Sequence, residues 1–245
     1  MSLFILGVFL VLMFLGIPVA VSLGMASLGA ILMYDTSTIA SAVKLMYSSM
    51  NSFTMVAVPL FFLAGILMDK GGVAEQIFSF CEDVVGWIHG GLGHVNIMTS
   101  ILFAGMSGSS VADVASIGAL CANAMIRSGY PSPYAWGTTL ASSMLASVIP
   151  PSILMVVAAS VAQVSMGQAL FAGIIPGVFL GLVMMVYNYF YCKKHGIGHR
   201  IPFNGGRLWK SFKRALPALM VPVILLGGMY TGYFTSTEAA AICVL

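Results

Sequence analysis

Charge is what this sequence has least of. Of its 245 residues only 7% are Asp, Glu, Lys or Arg, while 60% are apolar; an ordinary soluble domain is about 25% charged. Ten basic and seven acidic side chains cannot coat a soluble globule of this length. Residues 1–34, 45–68, 84–112, 128–192 and 215–237 carry none at all. With a mean hydropathy of +1.02, such gaps exclude a soluble enzyme, a nucleic-acid module and a disordered tail. Strict apolar–polar alternation is also missing, which excludes a membrane β-barrel. Cysteine is sparse: Cys81, Cys121, Cys192 and Cys243 form no Cys-x-x-Cys pair and read as small apolar fillers. The first residues lack a basic region, and the apolar run 3–33 exceeds a signal peptide's core of about 7–15 residues, so no removable signal is expected. The composition is that of an all-α polytopic membrane protein, whose spans need about 20 predominantly apolar residues each.

Organisation follows from the interruptions. Residues 1–70 supply transmembrane helices, with 3–33 read as one span kinked at Gly16-Ile17-Pro18 and 53–69 as a second. A more polar connector, 36–52, lies between them. Residues 71–89 mix Glu75, Glu82 and Asp83 with Ile77, Phe78, Phe80 and Trp87, as suits a helix lying in the interface plane. Residues 90–191 form the distinctive region. In 90–128 two apolar arms, too short to be comfortable spans, flank Ser107-Gly108-Ser109-Ser110; the pattern describes a re-entrant hairpin, with a full span through a serine patch as the alternative. In 132–165 an apolar helix is broken at Ile149-Pro150-Pro151-Ser152, because two prolines remove two backbone donors. A further span covers 167–191. Seven of the ten basic residues fall in 192–214, so a loop at 192–211 is placed in the cytoplasm by the positive-inside rule. Residues 212–245 hold another span and, from the capping-box pair Thr235 and Glu238, the start of a helix. That helix begins on the side opposite to the first span, as an inverted repeat requires.

The two breaks carry the chemistry. Irregular backbone survives at membrane depth only when it is buried in protein or lines a wet cavity. Freed carbonyls and serine hydroxyls are hard ligands suited to Na+, and half-helix N-termini suit carboxylates. The candidate ion- and substrate-binding residues are therefore Ser107, Gly108, Ser109, Ser110, Asp113, Ile149, Pro150, Pro151 and Ser152. The plainer reading is a glycine turn and a proline kink that only shape packing. Asp113 is the sole carboxylate between Asp83 and Glu238. With Ser110 as N-cap it falls at N3, where it satisfies free amides; direct ion or substrate contact is the other reading, and the two roles can coexist. No catalytic residue and no organic cofactor is expected. Gly105-Met106-Ser107-Gly108 matches a G-x-S-G of intramembrane serine proteases, but such a serine needs a base. His89 and His94 precede the hairpin, and His195 and His199 belong to the basic loop. A channel or another Na+- or H+-coupled anion transporter remains an alternative.

The run from Gly90-Gly91-Leu92-Gly93 through Phe103-Ala104-Gly105-Met106-Ser107-Gly108-Ser109-Ser110-Val111-Ala112-Asp113 resembles the large membrane (permease) subunit of tripartite ATP-independent periplasmic (TRAP) transporters, the DctM-like family. Gly129-Tyr130-Pro131, Ile149-Pro150-Pro151-Ser152-Ile153, Phe171-Ala172-Gly173-Ile174-Ile175-Pro176-Gly177 and Thr235-Ser236-Thr237-Glu238-Ala239 follow in that family's order. The resemblance implies an inner-membrane secondary transporter of organic acids, coupled to a Na+ gradient and working as an elevator. It implies two partners: a periplasmic substrate-binding protein and a small four-helix membrane subunit. It also implies that the hairpin tip, Ser107 to Ser110, and the break, Ile149 to Ser152, form half of the ion and substrate region. Because the family's subunit is considerably longer, this chain is expected to hold its first repeat and the start of the second.

Overall fold

Helices make up every regular element among the described residues, which are 1–34, 38–51, 56–162, 164–198 and 201–244 of this computed structural model. The chain divides into two compact units, Met1–Ser52 and Phe53–Leu245.

In the first unit, α1 (Ser2–Phe14) and α2 (Val19–Tyr34) form a helical hairpin. The Phe4 and Tyr34 rings meet edge to face at 5.8 Å, which places the outer ends of the two helices together. The expected single kinked span is thus two helices folded back on each other. The cause lies at Gly16, whose φ of 82° ends α1. Gly16 N–H donates to Met13 and Ile17 N–H to Leu12, the two bonds of a Schellman stop, and Pro18 has no amide with which to continue the helix. Then follows α3 (Ile39–Met50), capped by the Thr38 hydroxyl. Thr36, Ser37 and Ser52 of the expected connector, and residues 53–55 of the expected second span, lie outside the described residues.

The second unit begins with α4 (Ala57–Lys70), from which α5 (Val73–Val85) departs at 70°. Helix α5 turns Ala74, Ile77 and Cys81 into the core. The hairpin arms are α6 (Gly91–Ser107) and a continuous second arm made of α7 (Ser110–Asp113), one π-helical turn (Val114–Gly118) and α8 (Ala119–Arg127). The first arm is longer than expected because Gly91-Leu92-Gly93 belongs to it. A side chain at Gly93 would overlap the Asn188 amide, so glycine there lets α6 approach the next long helix closely. Val95, Phe103, Ile117, Cys121 and Met125 form the core between the arms.

The broken helix consists of α9 (Ser132–Ser143), a 3-10 turn (Met144–Ser147) and α10 (Ile153–Ala162). Then α11 (Met166–His195) and α12 (Gly205–Tyr230) follow, each long and apolar enough to cross a membrane. The basic connection between them is shorter than the expected loop. Lys193 and Lys194 occupy the last turn of α11, while Arg207 and Lys210 lie in the first turns of α12, whose amides at Gly206 and Arg207 are capped by Asn204. His199 and Arg200 lie outside the described residues. Helix α13 (Ser236–Val244) starts with the expected box: Thr235 N–H donates to the Glu238 carboxylate at 2.8 Å, and Glu238 N–H to the Thr235 hydroxyl at 3.3 Å. Its Ala239 and Ala240 pack with Phe61 of α4 and Leu225 of α12.

Candidate functional site

The hairpin tip and the proline break, 37 or more residues apart in sequence, are in direct contact. Helix α6 ends at the buried Ser107, and Gly108 turns the chain with φ +60°. The Gly108 carbonyl accepts from Ile153 N–H at 3.0 Å, the first amide of α10. A Cβ on Gly108 would overlap the Pro151 carbonyl oxygen, so only glycine satisfies both the turn and the approach. Beside this bond the Ser110 and Ser147 hydroxyls share a hydrogen bond. Ser110 belongs to the tip and Ser147 ends the 3-10 turn, so both strands of the junction contribute.

The break supplies its own satisfaction. Pro150 and Pro151, joined by a cis peptide, cannot donate to the Ala146 and Ser147 carbonyls. Ser152 is buried; its hydroxyl donates to the Ser147 carbonyl at 2.7 Å and accepts from Met155 N–H at 3.3 Å. Ser152 therefore bridges the end of one half-helix and caps the start of the next. Ile149, immediately before the prolines, is buried against α11. Two helix starts (Ser110 and Ile153) and two helix ends (Ser107 and Ser147) thus converge at one place. The opposed partial charges of those termini give it donors for an anion and acceptors for a cation.

The cap of the second arm sits one residue earlier than expected. Ser109, not Ser110, adopts the extended conformation, and its hydroxyl accepts from Ala112 N–H at 3.4 Å. The positive φ at Gly108 decides this, because the helix can begin only after the chain has left the turn. Asp113 consequently lies beyond N3 and makes no capping-box bond. It is 0% exposed, and neither carboxylate oxygen has a hydrogen-bond partner. The hydroxyls of Ser143 and Ser100 lie close by, outside hydrogen-bond geometry. A π-helical turn, a form enriched at functional sites, begins at the next residue.

A buried polar seam leads up to Asp113. Asn96 donates to the Thr139 hydroxyl at 2.7 Å, Ser142 donates to Asn96 at 3.4 Å, and the Ser100 and Ser142 hydroxyls are 3.1 Å apart. All of these side chains are fully buried. On the other side of the tip a cavity of about 320 Å3 opens toward α4, lined by Phe62, Gly65, Phe103, Ser107, Ser109 and Ser116. Ser107, Ser109 and Ser116 are the polar residues of a mostly apolar lining, the usual arrangement of a small-molecule site. Within the tip, the Ser107 hydroxyl accepts from Ser109 N–H at 3.5 Å. Among the sequence-predicted residues, Ser107, Gly108, Ser109, Ser110, Pro151 and Ser152 meet at one junction. Ile149 packs against Gly177 of α11, the Pro150 carbonyl lies near Gly105 of α6, and Asp113 lies one helical turn below. Sequence reasoning missed Ser147, Ser100 and Asn96 as site residues. The available signal was spacing at i and i+4, which puts Ser143 with Ser147, and Asn96 with Ser100, on one helix face.

Fold and junction together define an all-helical membrane protein whose polar centre is built from interrupted helices. A sequence model of the family described as tripartite ATP-independent periplasmic transporter, DctM component, matches residues 6–245, and the chain belongs to that family. It is 41% identical over 96% of its length to the sialic acid TRAP transporter large permease protein SiaM of Vibrio cholerae, covering 55% of that protein. It is 36% identical over 96% of its length to the C4-dicarboxylate large permease protein DctM of the same organism, covering 52%. To the isethionate TRAP transporter permease protein DctMQ of Oleidesulfovibrio alaskensis it is 37% identical over 96% of its length, covering 37%. The relatives are named as transporter permeases, not enzymes, and the chain spans about half the length of the first two.

Proposed function

We propose that this chain is the portion of a TRAP large permease that carries half of an ion and substrate site for Na+-coupled uptake of an organic acid. In this reading a periplasmic binding protein delivers the acid, and a small four-helix membrane subunit supports the permease in the bacterial inner membrane. The bond between Gly108 and Ile153 is the observation that carries the reading, because it makes one site of two breaks. Around it stand the termini of four half-helices, the geometry by which midplane sites in inverted-repeat transporters hold carboxylates and cations. Carbonyls and hydroxyls of Ser107 to Ser110 and Ile149 to Ser152 would ligate Na+. The unpartnered Asp113 supplies the negative charge that a cation entering this seam offsets. The serine-lined cavity below α4 takes the substrate's polar end. The relatives named for sialic acid, C4-dicarboxylates and isethionate share one trait, an acidic headgroup, and that trait defines the substrate class here. Movement of the hairpin and broken helix as one body, elevator fashion, fits their mutual bonding.

The test is uptake by the complete transporter in proteoliposomes. Ser109→Ala and Pro151→Ala are expected to lower Na+-dependent uptake while the protein stays in the membrane at normal abundance. Unchanged Na+ dependence in both variants would remove the junction from the ion site.

A further inference from the structure

The first turns of α12 present two opposite faces to α5, and neither face takes part in the junction. On one side Gln76, Ser79 and Glu82 of α5 and Lys210, Ser211 and Arg214 of α12 enclose a polar groove of about 280 Å3. On the other, Phe80, Val84, Leu208, Trp209 and Phe212 enclose an apolar groove of similar volume. The two helices are held together by the Asp83–Arg207 ion pair, which lines the polar groove, and by the Phe80 and Phe212 rings of the apolar one, 5.8 Å apart. Arg207 faces both Asp83 and Glu82, and the exposed Lys210 and Arg214 line the same groove. Neither of those cations forms an ion pair among the described residues. Trp209 is 60% exposed beside the apolar groove, with the Lys213 ammonium 5.2 Å from its ring.

This is the layout of a helix entering a membrane at headgroup level: cations on one face, aromatic and aliphatic side chains on the other, and an apolar span beyond. We infer that the groove between α5 and α12 is a headgroup site for an anionic phospholipid of the cytoplasmic leaflet. The phosphate lies between Lys210 and Arg214, Ser79, Ser211 and Gln76 supply neutral hydrogen bonds, and acyl chains of the same leaflet fill the apolar groove against Trp209. Basic pockets between helices on the cytoplasmic side select such headgroups, each cation contributing a factor of about five in affinity. The inference rests on the orientation given by the basic cluster and is independent of the Na+ site.

The test uses the full chain in neutral detergent, with thermal unfolding followed as lipid is added. Phosphatidylglycerol is expected to raise the melting temperature where phosphatidylcholine and inorganic phosphate do not. In Lys210→Gln/Arg214→Gln the lipid concentration for half the effect rises by about 25-fold. In Lys193→Gln/Lys194→Gln, which loses the same charge from the end of α11, it stays within about twofold. If that variant melts early, quenching of Trp209 by brominated phosphatidylglycerol, in a background with Trp87 and Trp136 changed to Phe, reads the same contact. Equal effects of both lipids, an equal effect of phosphate alone, or equal loss in the two double variants would overturn the assignment. A lack of response to any lipid would assign the groove to a protein partner instead.

Discussion

Gly108→Ala isolates the contact on which the proposed site depends. An alanine there bears two costs. The first is conformational: at φ +60° a Cβ crowds its own backbone, at about 1–2 kcal/mol. The second is tertiary: the Cβ would overlap the Pro151 carbonyl and sit 3.3 Å from Ile153 N, so tip and break must separate. The 3.0 Å bond from Ile153 to Gly108 is then stretched or lost, at about 1 kcal/mol. Gly129 provides the control, because it has φ +86° and nothing within 4 Å of its added Cβ; Gly129→Ala bears only the first cost. Unfolding of the two variants should therefore differ by about 1 kcal/mol or more. Na+-dependent uptake by the complete transporter should fall on the order of tenfold or more in Gly108→Ala alone, since a displacement of about 1 Å undoes a preorganised site. Equal stabilities, or full uptake by Gly108→Ala, would refute the reasoning.

Two further outcomes follow from buried charge. Asp113→Asn removes a carboxylate that is 0% exposed and unpartnered. The wild-type protein should gain about 2.7 kcal/mol of stability at Na+ one hundred times its Kd, read by melting in Na+ against K+. The variant should show no such gain and, without Na+, should be at least as stable as wild type; an undiminished Na+ effect would disconnect Asp113 from the ion. Asp83→Ala unties α5 from α12. Because the Arg207 side chain is 47% exposed, the coupling in a double-mutant cycle with Arg207→Ala should be on the order of 1 kcal/mol, and a coupling indistinguishable from zero would make the pair incidental.

Punctuation was legible in the sequence and assembly was not. The glycine–serine tip and the double proline announce themselves locally, since each acts on its own backbone whatever surrounds it. The Thr235–Glu238 box is equally local, and it forms as its spacing predicts. At Gly16-Ile17-Pro18 the same kind of punctuation suggests a kink but forms a full stop. The distinction lies in the apolar residue after a C′ glycine, the signature of a Schellman ending, and in whether the following helix finds a partner to fold back on. The basic residues read as a loop are mostly helical, because Lys and Arg are good helix formers and Asn204 supplies a cap. That Ser110 would meet Ser147, and Gly108 meet Ile153, depends on how the hairpin packs against α9 and α10. No local pattern encodes that register.

The shortage of charge explains why the polar seam takes the form it does. Thr139 and Ser143 donate to carbonyls one turn back in their own helix, and Ser142 and Asn96 bond across to α6 and α9. Each of these donors is thus used up internally. A seam built this way costs little to bury, because its donors are satisfied, yet it presents acceptors and no cation of its own among the described residues. Asp113 at its end adds the one full negative charge between α5 and α13. Such a surface repels anions and leaves a desolvated carboxylate uncompensated, a cost that the proposed Na+ would relieve. On the proposed reading the acid substrate approaches from the opposite side of the tip, where Ser107, Ser109 and the start of the second arm offer hydroxyls and a helix N-terminus. In that proposal, separating the two charges by the width of one turn is what lets the first favour the second.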